Sequence, residues 1–398
     1  MPWSHTSPMD QKTQFVADVL RGTVSLSELC AQYGISRKTG YKWLQRYHAQ
    51  GPAGLADRVR RPHRCPHATP PGVLAALLAA RRRHPSWGAK KLLALVRRQD
   101  PKGPWPARST VCDLLKRHGL VRTPRARRRL GHPGKPTTVA RAPNELWCAD
   151  FKGEFRTGDG EYCYPLTITD AYSRYVLACQ ALPSTGTAGA RAVFRRVFRE
   201  FGLPARIRTD NGVPFATPTL ARLSRLSAWW VRLGILPDLI EPGHPEQNAS
   251  HERFHRTLKA ETTRPAAATG RAQQRRFTRF CTEYNQDRPH EALGFATPAS
   301  LYRPSPRRLP RRLAPLQYPP HFETRYVSAN GGIRWNRRWV NVSITCIGEY
   351  VGLEEVDDGI WTVYFGPLKL GRLLEQHLRI EDAHGRLRRH RMLPMSPD

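Results

Sequence analysis

Leu146-Trp147-Cys148-Ala149-Asp150-Phe151 reads as a β-strand, an apolar run of strand length that ends in one acid. Around it, apolar runs at 145–151, 162–169 and 175–182 predict three strands, the first two joined through a Gly-containing turn. A helix follows, with Ala192, Val193, Val197 and Phe198 on its apolar face. Next come a short strand at Ala205–Thr209, a helix at Leu220–Leu233, a strand at Asp238–Glu241, and helices at Ala249–Glu261 and 271–286. Three hairpin-like strands followed by alternating helix and strand is the order of a mixed α/β sheet of ribonuclease-H type.

Two further segments repeat the pattern of one acid in a chosen setting. In Arg208-Thr209-Asp210-Asn211-Gly212 the Asp follows a strand and leads into a turn; in His251-Glu252-Arg253-Phe254-His255 the Glu opens a helix. Asp150 in the middle of the first strand and Asp210 at the carboxyl end of an adjacent one, with a helical Glu, can hold divalent metal. Two ions about 3.5–4 Å apart activate an attacking oxygen and stabilise a leaving one at a phosphodiester.

Glu246 and Glu252 compete for the third place, 36 and 42 positions after Asp210. Glu246 follows His244-Pro245 in a loop or first helical turn. Glu252 lies in the helix, where positions 252, 255, 256 and 259 share a face, so His255, Arg256 and Lys259 join it as phosphate-binding groups. Phe254 and Leu258, on the other side, anchor the helix to the sheet, and the face favours Glu252. Asp170, in Thr169-Asp170-Ala171, begins a turn between strands and reads as structural.

The 398 residues carry 65 Lys and Arg against 32 Asp and Glu, a net charge of +33 that points to a polyanionic partner, nucleic acid above all. The eight cysteines are scattered without a Cys-x-x-Cys pair, as in a reduced interior. His63, Cys65 and His67 cluster, but lack a second ligand pair at zinc-finger spacing. With no apolar run of about 18 residues and no signal pattern at Met1–His5, a cytoplasmic, nucleoid-associated bacterial protein with no membrane partner is expected.

Ahead of the core, residues 10–50 read as three helices. Gly34-Ile35-Ser36 turns into the third with Ser36 as N-cap, Tyr41 and Leu44 buried, and Arg37, Lys38, Thr39 and Lys42 outward, a helix-turn-helix that presents these four to DNA. A Pro/Arg/His linker (51–70) leads to a second helical DNA-binding unit, 71–121, with helices at Val73–Arg83, Trp87–Arg98 and Ala107–His118. Arg122 to Pro143 is a basic connector without an acid. After the core at 144–303 and another Pro/Arg linker, 321–380 is expected to be a small all-β, barrel-like domain seeded by Trp335, Trp339 and Trp361, followed by a basic tail that includes Arg386 and Arg388.

These motifs resemble the bacterial insertion-sequence transposases with a retroviral-integrase-type DDE core. The likeness runs through Asn144-Glu145-Leu146-Trp147…Asp150-Phe151-Lys152-Gly153, Thr169-Asp170-Ala171-Tyr172-Ser173-Arg174-Tyr175 and Thr209-Asp210-Asn211-Gly212-Val213-Pro214-Phe215. It continues through Gly243-His244-Pro245-Glu246-Gln247-Asn248, His251-Glu252-Arg253-Phe254-His255-Arg256-Thr257-Leu258-Lys259, and Tyr284-Asn285…Arg288-Pro289-His290. It implies a multidomain protein: all-α helix-turn-helix units, a ribonuclease-H-like core and a small β domain. It implies Asp150, Asp210 and Glu252 as ligands of two Mg²⁺ (or Mn²⁺) ions. It also implies metal-dependent cleavage and strand transfer on terminal inverted repeats and target DNA by a homo-oligomer on DNA. Ala249-Ser250 stands where the family commonly has a Gly, and the Asp210-to-Glu252 spacing exceeds the commonest, with the extra residues expected around Ser224–Leu236. A non-catalytic DNA-binding regulator, or a ribonuclease-H-like nuclease without strand transfer, are the alternatives.

Overall fold

The computed structural model describes residues 7–58, 68–121, 139–241 and 244–382. The His63/Cys65/His67 cluster, the connector from Arg122 to Thr138, the basic tail and the side chain of Glu246 lie outside the described residues. The chain divides into two compact units, Met1–Thr69 and Pro70–Asp398.

The first unit holds α1 (Pro8–Arg21), α2 (Leu26–Gln32) and α3 (Arg37–Gln50). Ser7, Ser25 and Ser36 each cap a helix by accepting a backbone N–H three residues on. Phe15, Val16, Leu29, Cys30, Trp43 and Leu55 form its core. Tyr41 is not part of it: 63% of its surface is exposed, and Gly40 and Trp43 face inward instead. The reason is the contact at Gly40, where a Cβ would lie 2.6 Å from Cys30 Sγ. That close approach turns the 40/43 stripe of α3 into the core and leaves Tyr41 beside the exposed Arg37, Lys38 and Lys42, with Thr39 half-buried.

The second unit begins with α4 (Pro71–Arg83), α5 (Ala89–Gln99) and α6 (Arg108–Arg117), packed around Leu77, Trp87, Leu92 and Val111. A mixed sheet follows: β1 (Leu146–Phe151), β2 (Phe155–Arg156), β3 (Tyr162–Asp170), β4 (Val176–Leu182), then α7 (Thr187–Phe201), β5 (Arg206–Thr209), α8 (Arg225–Arg232) and β6 (Leu236–Leu239). β3 pairs with β4 on one side and with β1 and β2 on the other; β1 continues to β5 and β5 to β6. The β1–β3 and β3–β4 pairs are antiparallel, and the β1–β5 and β5–β6 pairs parallel. The helix expected at Leu220–Leu233 is shorter. Leu220–Arg222 is a single 3-10 turn in which Ala221 and Arg222 have φ of 51° and 52°, and Ser224 restarts the chain as the cap of α8. The last strand begins two residues earlier than expected, because Leu236 aligns with Arg206.

Strand alternation sorts the two faces of the sheet. Trp147, Ala149, Leu166 and Ile168 pack with α7 and α8. The opposite face receives α9 (Ala249–Thr262) and α10 (Gly270–Gln286), with Cys163, Val176 and Cys179 against Phe254, Leu258 and Phe277. The outer edge of β4 is closed by side-chain amides of α10. Asn285 bonds both backbone groups of Val176 (2.8 and 2.9 Å), and Gln274 bonds Ala181 N and Cys179 O (2.8 and 3.0 Å).

After the short α11 (Pro298–Leu301) come β7 (Glu323–Tyr326), β8 (Gly332–Trp335), β9 (Arg338–Asn341), β10 (Tyr350–Asp357), β11 (Ile360–Phe365), β12 (Leu368–Leu374) and β13 (Arg379–Glu381). They form an open five-stranded sheet, β13-β12-β11-β10-β7, and a separate β8–β9 hairpin. Among the described residues the sheet does not close as the expected barrel: β13 and β7 stand at opposite edges. Trp335 and Trp361 meet edge to face at 4.8 Å and both donate to Glu375, whereas Trp339 is 38% exposed. The β8–β9 hairpin, through Ile333, Trp335 and Val340, and Leu220, Leu223, Ala228 and Val231 of the preceding region pack into the same core.

Asn285→Ala leaves the buried N–H and C=O of Val176 unpaired. At about 1–3 kcal/mol for a buried unsatisfied group, denaturant unfolding should show a loss of at least about 2 kcal/mol relative to the parent protein.

Candidate active site

Asp150 is the penultimate residue of β1 and Asp210 follows the last residue of β5. The two strands are parallel with Cys148 opposite Arg208, so continuing that register brings Asp150 level with Asp210. Glu252 lies in the first turn of α9, where the helix dipole favours an acid. Burial pushes the Asp150 carboxyl up from 3.8 to about 7, with the negative charges of Asp210 and Glu252 adding to the rise. Burial also raises Asp210, against the N–H of Gly212 that donates to its Oδ1 at 3.2 Å. The structure thus brings Asp210 and Glu252 within electrostatic reach of Asp150. Asp170 stands apart. It is fully buried and accepts from Asn144 N and from Ser173 N and Oγ, which makes it a turn anchor.

The turn that launches α9 is tied to β5. Arg208, buried, bonds Asp238 through Nε (3.1 Å) and one terminal nitrogen (2.8 Å), and donates from the other to Gln247 O at 3.1 Å. One guanidinium therefore links the strand that ends at Asp210 to the segment that precedes Glu252. The far end of α9 is held by Glu261, which accepts from Arg288 (2.9 Å) and from Ser86 (2.5 Å) in the α4–α5 turn.

Behind Asp150 lies a polar layer inside the core. Thr167 Oγ1 donates to the Asp150 carbonyl at 3.0 Å and sits 2.8 Å from His251 Nε2 and 2.7 Å from His255 Nε2. Thr169 Oγ1 is 2.9 Å from His251 Nδ1. His255 Nδ1 faces Asp150 Oδ2 at 3.6 Å. Burial lowers both imidazoles, His251 to about 3. The expectation that His255 faces DNA beside Arg256 and Lys259 is therefore corrected: His255 is buried under Asp150, while Glu252, Arg256 and Lys259 are exposed. Helical spacing alone grouped the four; β3 approaches the 251/255 edge of the helix and takes His255 inward. Sequence reading missed Thr167, Thr169 and His251. Thr167-Ile168-Thr169 alternates, and the antiparallel register sets Thr167 opposite Asp150, which is the signal that could have found them.

A groove of about 1180 Å³ lies elsewhere, beside α7 and residues 309–313, lined by Arg191, Arg195, Arg199 and Arg225. It is on the other face of the sheet from the acids. The shallow end of the parallel strands, not this concavity, carries the titratable cluster.

The order of the mixed sheet and its flanking helices is that of an integrase core. The sequence matches the integrase core domain over residues 140–245 and 233–298, and a helix-turn-helix domain over 11–63. It is 30% identical over 237 residues to the insertion element IS407 uncharacterized 31.7 kDa protein of Burkholderia multivorans, covering 58% of this chain and 80% of that one. It is also 30% identical over 200 residues to an insertion element IS136 protein of Agrobacterium tumefaciens, covering 48% and 95%. A solved HTLV-2 integrase catalytic core domain in complex with magnesium aligns with 41% of this chain and 99% of its own, at 14% identity and a TM-score of 0.31. The chain belongs to the bacterial insertion-sequence transposases with an integrase-type core.

The raised Asp150 has a thermodynamic consequence. Between the unfolded value of 3.8 and about 7, the folded protein keeps a proton that the unfolded chain has lost. In chelator, stability contributed by this group therefore falls as pH rises through that window. Tm measured from pH 4 to 8 should show Asp150→Asn gaining on the parent protein as pH rises; parallel curves would remove the assignment.

Proposed function

We propose that the protein is a DNA transposase that cleaves and joins DNA at a two-metal site of Asp150, Asp210 and Glu252. What supports this is the Asp150 carboxyl, which burial lifts to about 7 and to whose rise the negative charges of Asp210 and Glu252 add. A cluster of hard oxygen donors with uncompensated repulsion suits Mg²⁺ or Mn²⁺. Three buried side-chain acceptors without a partner among the described residues, Thr209 Oγ1, Asn211 Oδ1 and Asn248 Oδ1, lie in the segments that carry Asp210 and lead to Glu252. When bound, the ions would activate the attacking oxygen and stabilise the leaving one.

The chain's own residues do the rest. Asp150 and Asp210 arrive on rigid strand ends, and Glu252 on a helix tied at both ends. Arg256 and Lys259, exposed one and two turns beyond Glu252, hold the phosphate backbone beside the reacting bond. Terminal inverted repeats are read by α3 through Arg37, Lys38, Thr39 and Lys42, and two ends are joined by a homo-oligomer on DNA. The 71–121 unit, docked on α9 and α10, extends the DNA contact.

Each of Asp150→Asn, Asp210→Asn and Glu252→Gln should reduce strand transfer of repeat-ended DNA by at least about 10³-fold, on the scale of removing an essential electrostatic stabiliser, while repeat binding persists. Glu246→Gln should transfer normally. Strand transfer that survives Glu252→Gln would overturn the reading.

A further inference from the structure

We infer that His255 Nδ1 is a nitrogen ligand of the metal held by Asp150, so that this site takes Mn²⁺ or another borderline transition ion in preference to Mg²⁺. The inference rests on the reading of Asp150 as a metal ligand and adds a donor of a different chemical kind to the three acids.

Hydrogen-bond bookkeeping leads there. Thr167 has one hydroxyl proton, and it is given to the Asp150 carbonyl at 3.0 Å. The two imidazole Nε2 atoms at 2.8 and 2.7 Å must then be donors to the two lone pairs of that hydroxyl. His255 therefore carries its proton on Nε2, and its Nδ1 presents a lone pair. That lone pair faces Asp150 Oδ2 at 3.6 Å, too far for a direct hydrogen bond and acceptor against acceptor if Asp150 is ionised. Two metal–ligand bonds of about 2.1 Å span such a gap. The Asp150, His251 and His255 ligand atoms lie within 4.8 Å of one another. His251 is spent, however, with Thr169 at one ring nitrogen and Thr167 at the other. It orients Thr167, and through it His255, as outer partners orient ligating imidazoles. Asp150 keeps 23% of its side-chain surface exposed, which leaves an approach from solvent. A carboxylate-rich site with one imidazole moves from the hard-ion class toward transition metals.

The test is Mn²⁺ binding to the full-length, DNA-free protein, read by pulsed electron paramagnetic resonance. Imidazole ¹⁴N modulation is expected in the parent protein, converting to the ¹⁵N pattern on labelling histidine. It should persist in His251→Asn and vanish in His255→Leu, and the ratio of Mn²⁺ to Mg²⁺ affinity should fall about tenfold or more in His255→Leu. Among the described residues only His251 and His255 join Asp150 in a ligand cluster, so if His255→Leu fails to fold, the labelled parent and His251→Asn still decide. Mn²⁺ bound without nitrogen modulation overturns the inference and leaves the three-acid reading standing. No Mn²⁺ bound, with Asp150→Asn indistinguishable from the parent, overturns the three-acid reading itself.

Discussion

In a chain of net charge +33, the Asp150 carboxyl is partly buried at the carboxyl end of β1 and feels the negative charges of Asp210 and Glu252. Lys152 lowers Asp150 only against the larger effects of burial and of Asp210. Two buried arginines of this region are engaged elsewhere: Arg208 in a pair with Asp238, Arg288 with Glu261. Left alone, such acids would drift apart. Parallel pairing of β1 with β5 denies them that freedom, and α9 is tied to β5 through Gln247 and at its far end through Glu261.

The underside of the site follows from the same constraint. A purely apolar layer below Asp150 would leave its orientation to backbone geometry alone. Thr167, Thr169, His251 and His255 form instead a small, nearly closed hydrogen-bond network, with one hydroxyl as its hub. Buried polar groups are tolerable when partnered, and such networks specify a single arrangement where apolar packing would allow several. The network also ties α9, through His251 and His255, to β3, the strand paired with β1.

Much of this was legible in the chain. The strand ending at Asp150, the Ser36 cap, the helix after Ala249 and the order of the mixed sheet are local patterns of period two or 3.6, and they survive folding with shifts of a residue or two. The failures have one physical root, which is contact between segments distant in sequence. Tyr41 looked apolar enough for a core, but Gly40 lets α3 approach Cys30 so closely that another stripe is buried. His255 shared a helical face with Glu252, yet the neighbouring strand captured it. The C-terminal strands suggested a core of their own, but residues 220–231 share it with them and with the β8–β9 hairpin. Of the site, the acids were readable because each stands out in its own segment; the Thr/His layer was not, since its members belong together only through sheet register.

The closed edge of β4 has a bearing on how the molecule coexists with copies of itself. Sheet edges are templates for another chain's backbone, and a strongly basic protein concentrated along a polyanion would bring many such edges near one another. Asn285 and Gln274 occupy the hydrogen-bonding positions a foreign strand would need at Val176, Cys179 and Ala181. Crowding on a single nucleic-acid lattice can therefore proceed through helices and loops without seeding fibrous aggregation at this margin. In that sense two amide side chains on one helix act as gatekeepers of colloidal behaviour, remote from the candidate site.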